Sequence, residues 1–136
     1  MEWLLIGILA MDLASVKTEP NLEKRSELAL DYASLELDQV RDASNSGDME
    51  KLAAALGQVD ESVDLAYHSL DESGKDARNS KFYKRAEMRT RELLRRLEGL
   101  RDAASIEDMS LFEKVRNRVS EVHDTLLKRI MSKKTK

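Results

Sequence analysis

Cysteine is absent from the 136 residues. That excludes a disulfide framework, a thiolate nucleophile and any zinc or iron–sulfur site built on cysteine. It leaves the redox compartment open. Proline occurs once and glycine five times, so little interrupts long helices. The glycines, at positions 7, 47, 57, 74 and 99, form no phosphate-binding loop. Aromatic residues are 4% of the chain, too few for the stacking platforms of a single-strand nucleic-acid binder. Basic charge is not in excess, the formal net charge being −3. Helix-turn-helix, zinc-finger and RNP-like spacings are missing, which argues against sequence-specific nucleic-acid binding. No apolar run approaches the roughly 20 residues of a membrane-spanning helix.

The apolar run at residues 3–11, WLLIGILAM, matches the about 7–15 residues of a signal-peptide core. Ala10, Ala14 and Ser15 offer small residues for cleavage, but Glu2 stands where a basic leader belongs. The stretch reads in two ways. As an export signal it places the protein in the periplasm or outside the cell, which is the preferred reading. As a short structural segment packed on the body it allows a cytoplasmic protein.

Apolar residues make up 41% and charged residues 36% of the chain, enough for one modest core. Shifted by 60 residues against itself, the chain aligns 24–70 with 84–130, and twelve of the 47 pairs are identical. Leu37/Leu97, Val59/Val119 and the run Arg41–Ala43/Arg101–Ala103 are among them. We read two copies of a helical hairpin, 21–70 and 81–130, neither able to bury its apolar face alone.

The expected helices run from Asn21 to Ala43, Asp48 to Leu70, Lys81 to Ala104 and Ile106 to Met131. Apolar positions recur at 3–4 spacing in each, which keeps one side of the helix apolar. The expected core stripes are Leu22, Ser26, Leu30, Ala33, Leu37 and Val40, then Met49, Leu52, Leu56, Val59, Val63, Ala66 and Leu70. The second copy offers Phe82, Ala86, Thr90, Leu93, Leu97 and Leu100, then Met109, Phe112, Val115, Val119, Val122, Leu126 and Ile130. Asn45 and Ser105, each three residues before an aspartate, are the expected N-caps of the second and fourth helices. Short links force antiparallel partners.

The fold class is therefore all-α, an antiparallel up-down-up-down four-helix bundle built from two duplicated hairpins related by a twofold axis. It occupies residues 20–131, after an apolar segment and linker at 1–19 and before a basic tail at 132–136. The runner-up is an open pair of hairpins that dimerises.

Charge is segregated. Residues 1–75 hold 6 basic and 16 acidic side chains, residues 76–136 hold 17 and 10. Either the two halves complement each other across the hairpin interface, or the basic half meets an acidic partner. Lys84, Arg91 and Arg95 point away from the expected core of the third helix, with Met88 beside them. These four are the candidate interaction surface, and Arg91 is expected to be dispensable for stability. Arg85, Arg89 and Arg96 share one flank.

Catalytic and metal-binding chemistry finds no constellation. Glu61, Asp64 and His68 fall near one face and offer weak divalent-ion ligation at best. The carboxylate–histidine pattern of di-iron bundles fails, because Leu65 and Ser120 stand three residues before His68 and His123. His68 is expected in solvent and His123 at the core edge. No catalytic residue, metal ligand or cofactor is assigned, and the chain is read as not an enzyme. The functional reading is a helical interaction or scaffold domain whose partner is another protein or an acidic surface. The alternative is a regulatory, ligand-sensing bundle with a pocket lined by Tyr32, Tyr67 or Trp3.

Overall fold

The protein's structure, a computed structural model, describes residues 12–132. The apolar segment read as an export signal, Trp3 with it, and most of the basic tail lie outside the described residues.

Among the described residues five helices follow in order: α1 Leu13–Lys17, α2 Leu22–Ser46, α3 Met49–Ser73, α4 Lys81–Ala103 and α5 Ile106–Met131. The four long ones form an all-α antiparallel bundle of two hairpins, as the periodicity predicts. The caps are partly different from expectation. Asn21 Oδ1 accepts from Lys24 N–H at 2.9 Å and starts α2. Asn45 caps nothing, because α2 continues through Ser46 and stops at Gly47, whose φ of 75° is left-handed. Glycine takes that conformation without a Cβ clash, and Asp48 N–H then reaches back to the Ala43 carbonyl at 3.0 Å. Asp48 itself caps α3, accepting from Lys51 N–H at 3.1 Å. Ser105 stands at the N-cap of α5 but makes no side-chain capping bond.

The stripes the spacing marks are buried except at helix ends, and the buried faces are wider than expected, taking in Ala29, Tyr32, Ala55, Ser62 and Glu87 as well. Leu30, Ala33, Leu37 and Val40 are buried on α2, and Leu52, Leu56, Val59, Val63, Ala66 and Leu70 on α3. Ala86, Thr90, Leu93 and Leu97 are buried on α4, and Phe112, Val115, Val119, Val122 and Leu126 on α5. Met49, expected inside, is exposed. Leu22, Phe82, Leu100, Met109 and Ile130 are only half-buried. A terminal turn has neighbours on one side only, so its apolar residue is covered incompletely. Tyr83 takes the place expected of Phe82 and is buried, its hydroxyl accepting from Arg129 at 3.3 Å.

The hairpins meet with α2 beside α4 and α3 beside α5. Arg85 pairs with Glu27 and Arg96 with Asp38, both at 2.8 Å and both 58 residues apart. Arg89 pairs with Asp31 at 2.8 Å. A constant difference in residue number means parallel neighbours; antiparallel ones would show a constant sum. On the other side Arg118 pairs with Asp60 at 2.9 Å and Arg129 with Asp71 at 2.6 Å, again 58 apart. Under a twofold axis, Glu27 meeting Arg85 would bring Glu87 to Arg25; Glu87 instead meets Arg91 and His123, so the second hairpin is the first displaced sideways, not rotated about a twofold axis, which corrects the expected symmetry. The reason is visible in the register. The basic flank of the second copy lies two repeat positions ahead of the acidic flank of the first, so like faces do not meet.

Five arginines of the second hairpin thus meet acids of the first. Exposed pairs of this kind add little stability each, but they fix which helix lies beside which. The segregation of charge along the chain complements across the hairpin interface.

Candidate functional site

The site begins at α4, the helix with the densest basic charge. Ser80 Oγ caps it, accepting from Tyr83 N–H at 3.3 Å. Its inward side carries Ala86, Thr90, Leu93 and Leu97. Thr90 places its hydroxyl on the carbonyls of Ala86 and Glu87, at 2.8 and 3.0 Å, so a polar residue sits in the core without an orphaned group. Its flank toward α2 carries the three paired arginines. Its outward side carries Lys84, Met88, Arg91 and Arg95, all exposed.

These four are not equivalent. Arg91 is held by Glu87, with Nη2 to Oε1 at 2.6 Å and Nε to Oε2 at 2.9 Å. It is a neutralised partner rather than an open cation. Lys84 and Arg95 have no side-chain ion pair or hydrogen bond among the described residues. Met88 is 60% exposed between them. Residues 84, 88 and 95 share one face over about 16 Å of helix.

Glu87 is a group the helical periodicity missed. It is 7% exposed, yet charged, because two partners converge on it. His123 Nε2 on α5 approaches Glu87 Oε2 at 2.8 Å, while its Nδ1 faces Asp124 at 3.2 Å. Arg91 above all, and His123 after it, hold the Glu87 carboxyl below the usual carboxylate range, against the opposing pull of burial. The signal was legible only in part: Glu87 and Arg91 stand at the i,i+4 spacing of a helical ion pair, but burial came from α5. The pair speaks against the expectation that Arg91 is dispensable, since its loss would leave a buried carboxylate with one partner fewer.

A pH test follows from the sign. A carboxylate with a lowered native pKa stabilises fully above its unfolded value, about 4.3, and loses that contribution as pH falls through the native value. Glu87→Gln removes the contribution at every pH. The gap in urea midpoint between wild type and Glu87→Gln is therefore expected to be widest at neutral pH and to close on acidification. A gap constant down to about pH 3 would remove Glu87 from the acid response.

The other sequence candidates are dispersed. His68 is exposed and pairs with Asp64 at 3.3 Å, and Asp64 also faces Arg118. Glu61 does not join them into a ligand set; no group of three metal-ligating side chains occurs among the described residues. His123 lies at the core edge, as its repeat position predicts. Tyr32 is buried, donating to Gln58 Oε1 at 3.1 Å, and burial pushes its phenol up to about 12. It borders an open groove between α2 and α3. Tyr67 lies elsewhere, beneath the Arg129 guanidinium at 5.3 Å. The two tyrosines do not build one pocket. A Cβ at Gly57 or Gly99 would meet open space, so neither glycine serves close helix approach.

No described helix is long and apolar enough to cross a membrane. Compared with protein-family models, curated proteins and solved structures, the chain has no match.

Proposed function

We propose that this is a non-enzymatic helical interaction domain whose α4 outer face receives an acidic partner protein. One observation carries the reading. The hairpin interface consumes the arginines of one flank, and Glu87 consumes Arg91, yet among the described residues Lys84 and Arg95 stay unpaired on either side of an exposed methionine. A cationic rim around a single apolar side chain has the composition of a small contact patch. What supports a non-catalytic role is the dispersal of the histidines, hydroxyls and carboxylates described above.

The test removes charge without touching the buried pair. A Lys84→Gln/Arg95→Gln variant is expected to keep the wild-type urea midpoint and to lose the partner. Capture from the source cell extract is expected to weaken with salt, since exposed charges are screened over about 8 Å at physiological ionic strength. An unchanged set of captured proteins in the variant would end the proposal. Arg91 is left out of the variant because its removal unsettles Glu87.

A further inference from the structure

The open groove between α2 and α3 has a volume of about 780 Å³, and none of its lining residues belongs to α4 or α5. It is a face of the first hairpin that the second does not line. Tyr32, Leu35, Gln39, Ala43 and Ser46 line it from α2, and Ala54, Ala55 and Gln58 from α3. Leu35 is exposed although large and apolar. Such a stretch of surface calls for a cover.

Two observations say what the cover is. The first is the path of the chain. Arg25 Nε donates to the Glu19 carbonyl at 2.8 Å. Asp12 stands in the groove, close enough to Tyr32 for its charge to bear on the phenol. Residue numbers thus fall along α1 as they rise along α2. The two helices run antiparallel, with Leu13 and Val16 of α1 buried. Followed upstream past Asp12, the chain heads along α2 toward Gly47, which is where the groove continues. From Tyr32 to Ser46 it offers about 21 Å of helix.

The second observation is the sequence that lies upstream. Residues 3–11 read WLLIGILAM, apolar side chains that gain by leaving water. As a helix these nine residues span about 14 Å, shorter than the groove. Asp12 has extended backbone and caps α1, so the run is a unit of its own and needs a seat of its own. In this direction Trp3 comes last, toward Ala43, Ser46 and Ala54. Small side chains there leave room for an indole.

We infer that residues 3–11 of this chain dock in the groove between α2 and α3 and cap the outer face of the first hairpin. The inference stands apart from the reading of the α4 face. It gives the apolar run a lasting place in the fold, the second of its two readings from sequence.

Trp3 is the chain's single tryptophan, so its fluorescence reports the seat directly. In the full chain its emission is expected to be blue-shifted from its position in urea, with acrylamide quenching several-fold weaker than in urea. Both are expected to be independent of protein concentration. Ala54→Glu, at an exposed helical position, is expected to move the emission to the urea value and restore quenching, with far-UV circular dichroism unchanged. Ser110→Glu, at an exposed position of α5 outside the groove, is expected to change neither. Should Ala54→Glu fail to fold, Leu35→Glu, also exposed, replaces it.

Wild-type emission already at its urea value would overturn the docking. So would a blue shift that survives both groove variants, which would seat the run elsewhere. A blue shift that fades on dilution would make a second copy the occupant and also end the inference, as would a chain isolated from the source cells without residues 3–11.

Discussion

A chain reduced to its first hairpin, residues 12–74, is expected to lose cooperative folding. In the bundle, α2 and α3 bury Leu30, Leu37, Val59 and Val63 almost completely, and the second hairpin lies against both helices. Without it the inner face meets water over two helices of 25 residues each. A piece of this size is near the lower limit for a self-sufficient core, and isolated helices draw most of their stability from packing. The acids of α2 and α3 that met arginines also lose those partners. Far-UV circular dichroism with urea titration is the measurement. Weak helicity and a broad, sloping transition are expected. A sharp transition at the full chain's midpoint would show that one hairpin folds unaided and that the interface is incidental.

Truncation of Leu97 to alanine is expected to cost roughly 2–5 kcal/mol. Leu97 is fully enclosed, in the C-terminal third of α4, where neighbours on other helices cannot easily close over a void. Against a total stability of about 5–15 kcal/mol for an ordinary domain, that loss makes the native state marginal. Val59→Ala, equally enclosed, is expected to cost less, because fewer methyl groups leave. Met88→Ala on the opposite side of α4 is expected to stay within about 0.5 kcal/mol. Urea midpoints of the three variants compare them directly. Equal sensitivity at Leu97 and Met88 would mean that α4 is turned the other way.

The facing of each helix was legible because apolar spacing depends on the helix alone. Leu37, Val59, Leu97 and Val119 needed no knowledge of the partner to be placed inside. Helix ends were harder. Asn45 and Asp48 both suit a cap, and the choice fell to Gly47, whose left-handed backbone lets α2 run three residues further than expected. Packing between hairpins was harder still. The repeat shows that two similar units exist, not which operation relates them; that depended on Glu27, Asp31 and Asp38 finding Arg85, Arg89 and Arg96. The candidate surface divides in the same way. Lys84, Met88 and Arg95 are outside, as an angular count places them. Arg91 is outside too, but its role was set by a glutamate that only α5 buries.

Sideways displacement has a consequence for how the two copies age. Under a twofold axis, matched positions share one environment, and whatever suits one copy suits the other. Displacement breaks that bond. Asp31 of the first copy meets Arg89, while its counterpart in the second, Arg91, has no third hairpin to face and turns to Glu87. Val63 is sealed inside, while its counterpart His123 sits at the edge beside Glu87. Each such pair answers to a different neighbour, so substitutions fixed in one half give no reason for the same change in the other. Divergence between the halves is the ordinary outcome of this geometry, and the core identities Leu37 with Leu97 and Val59 with Val119 keep fully buried surroundings in both copies.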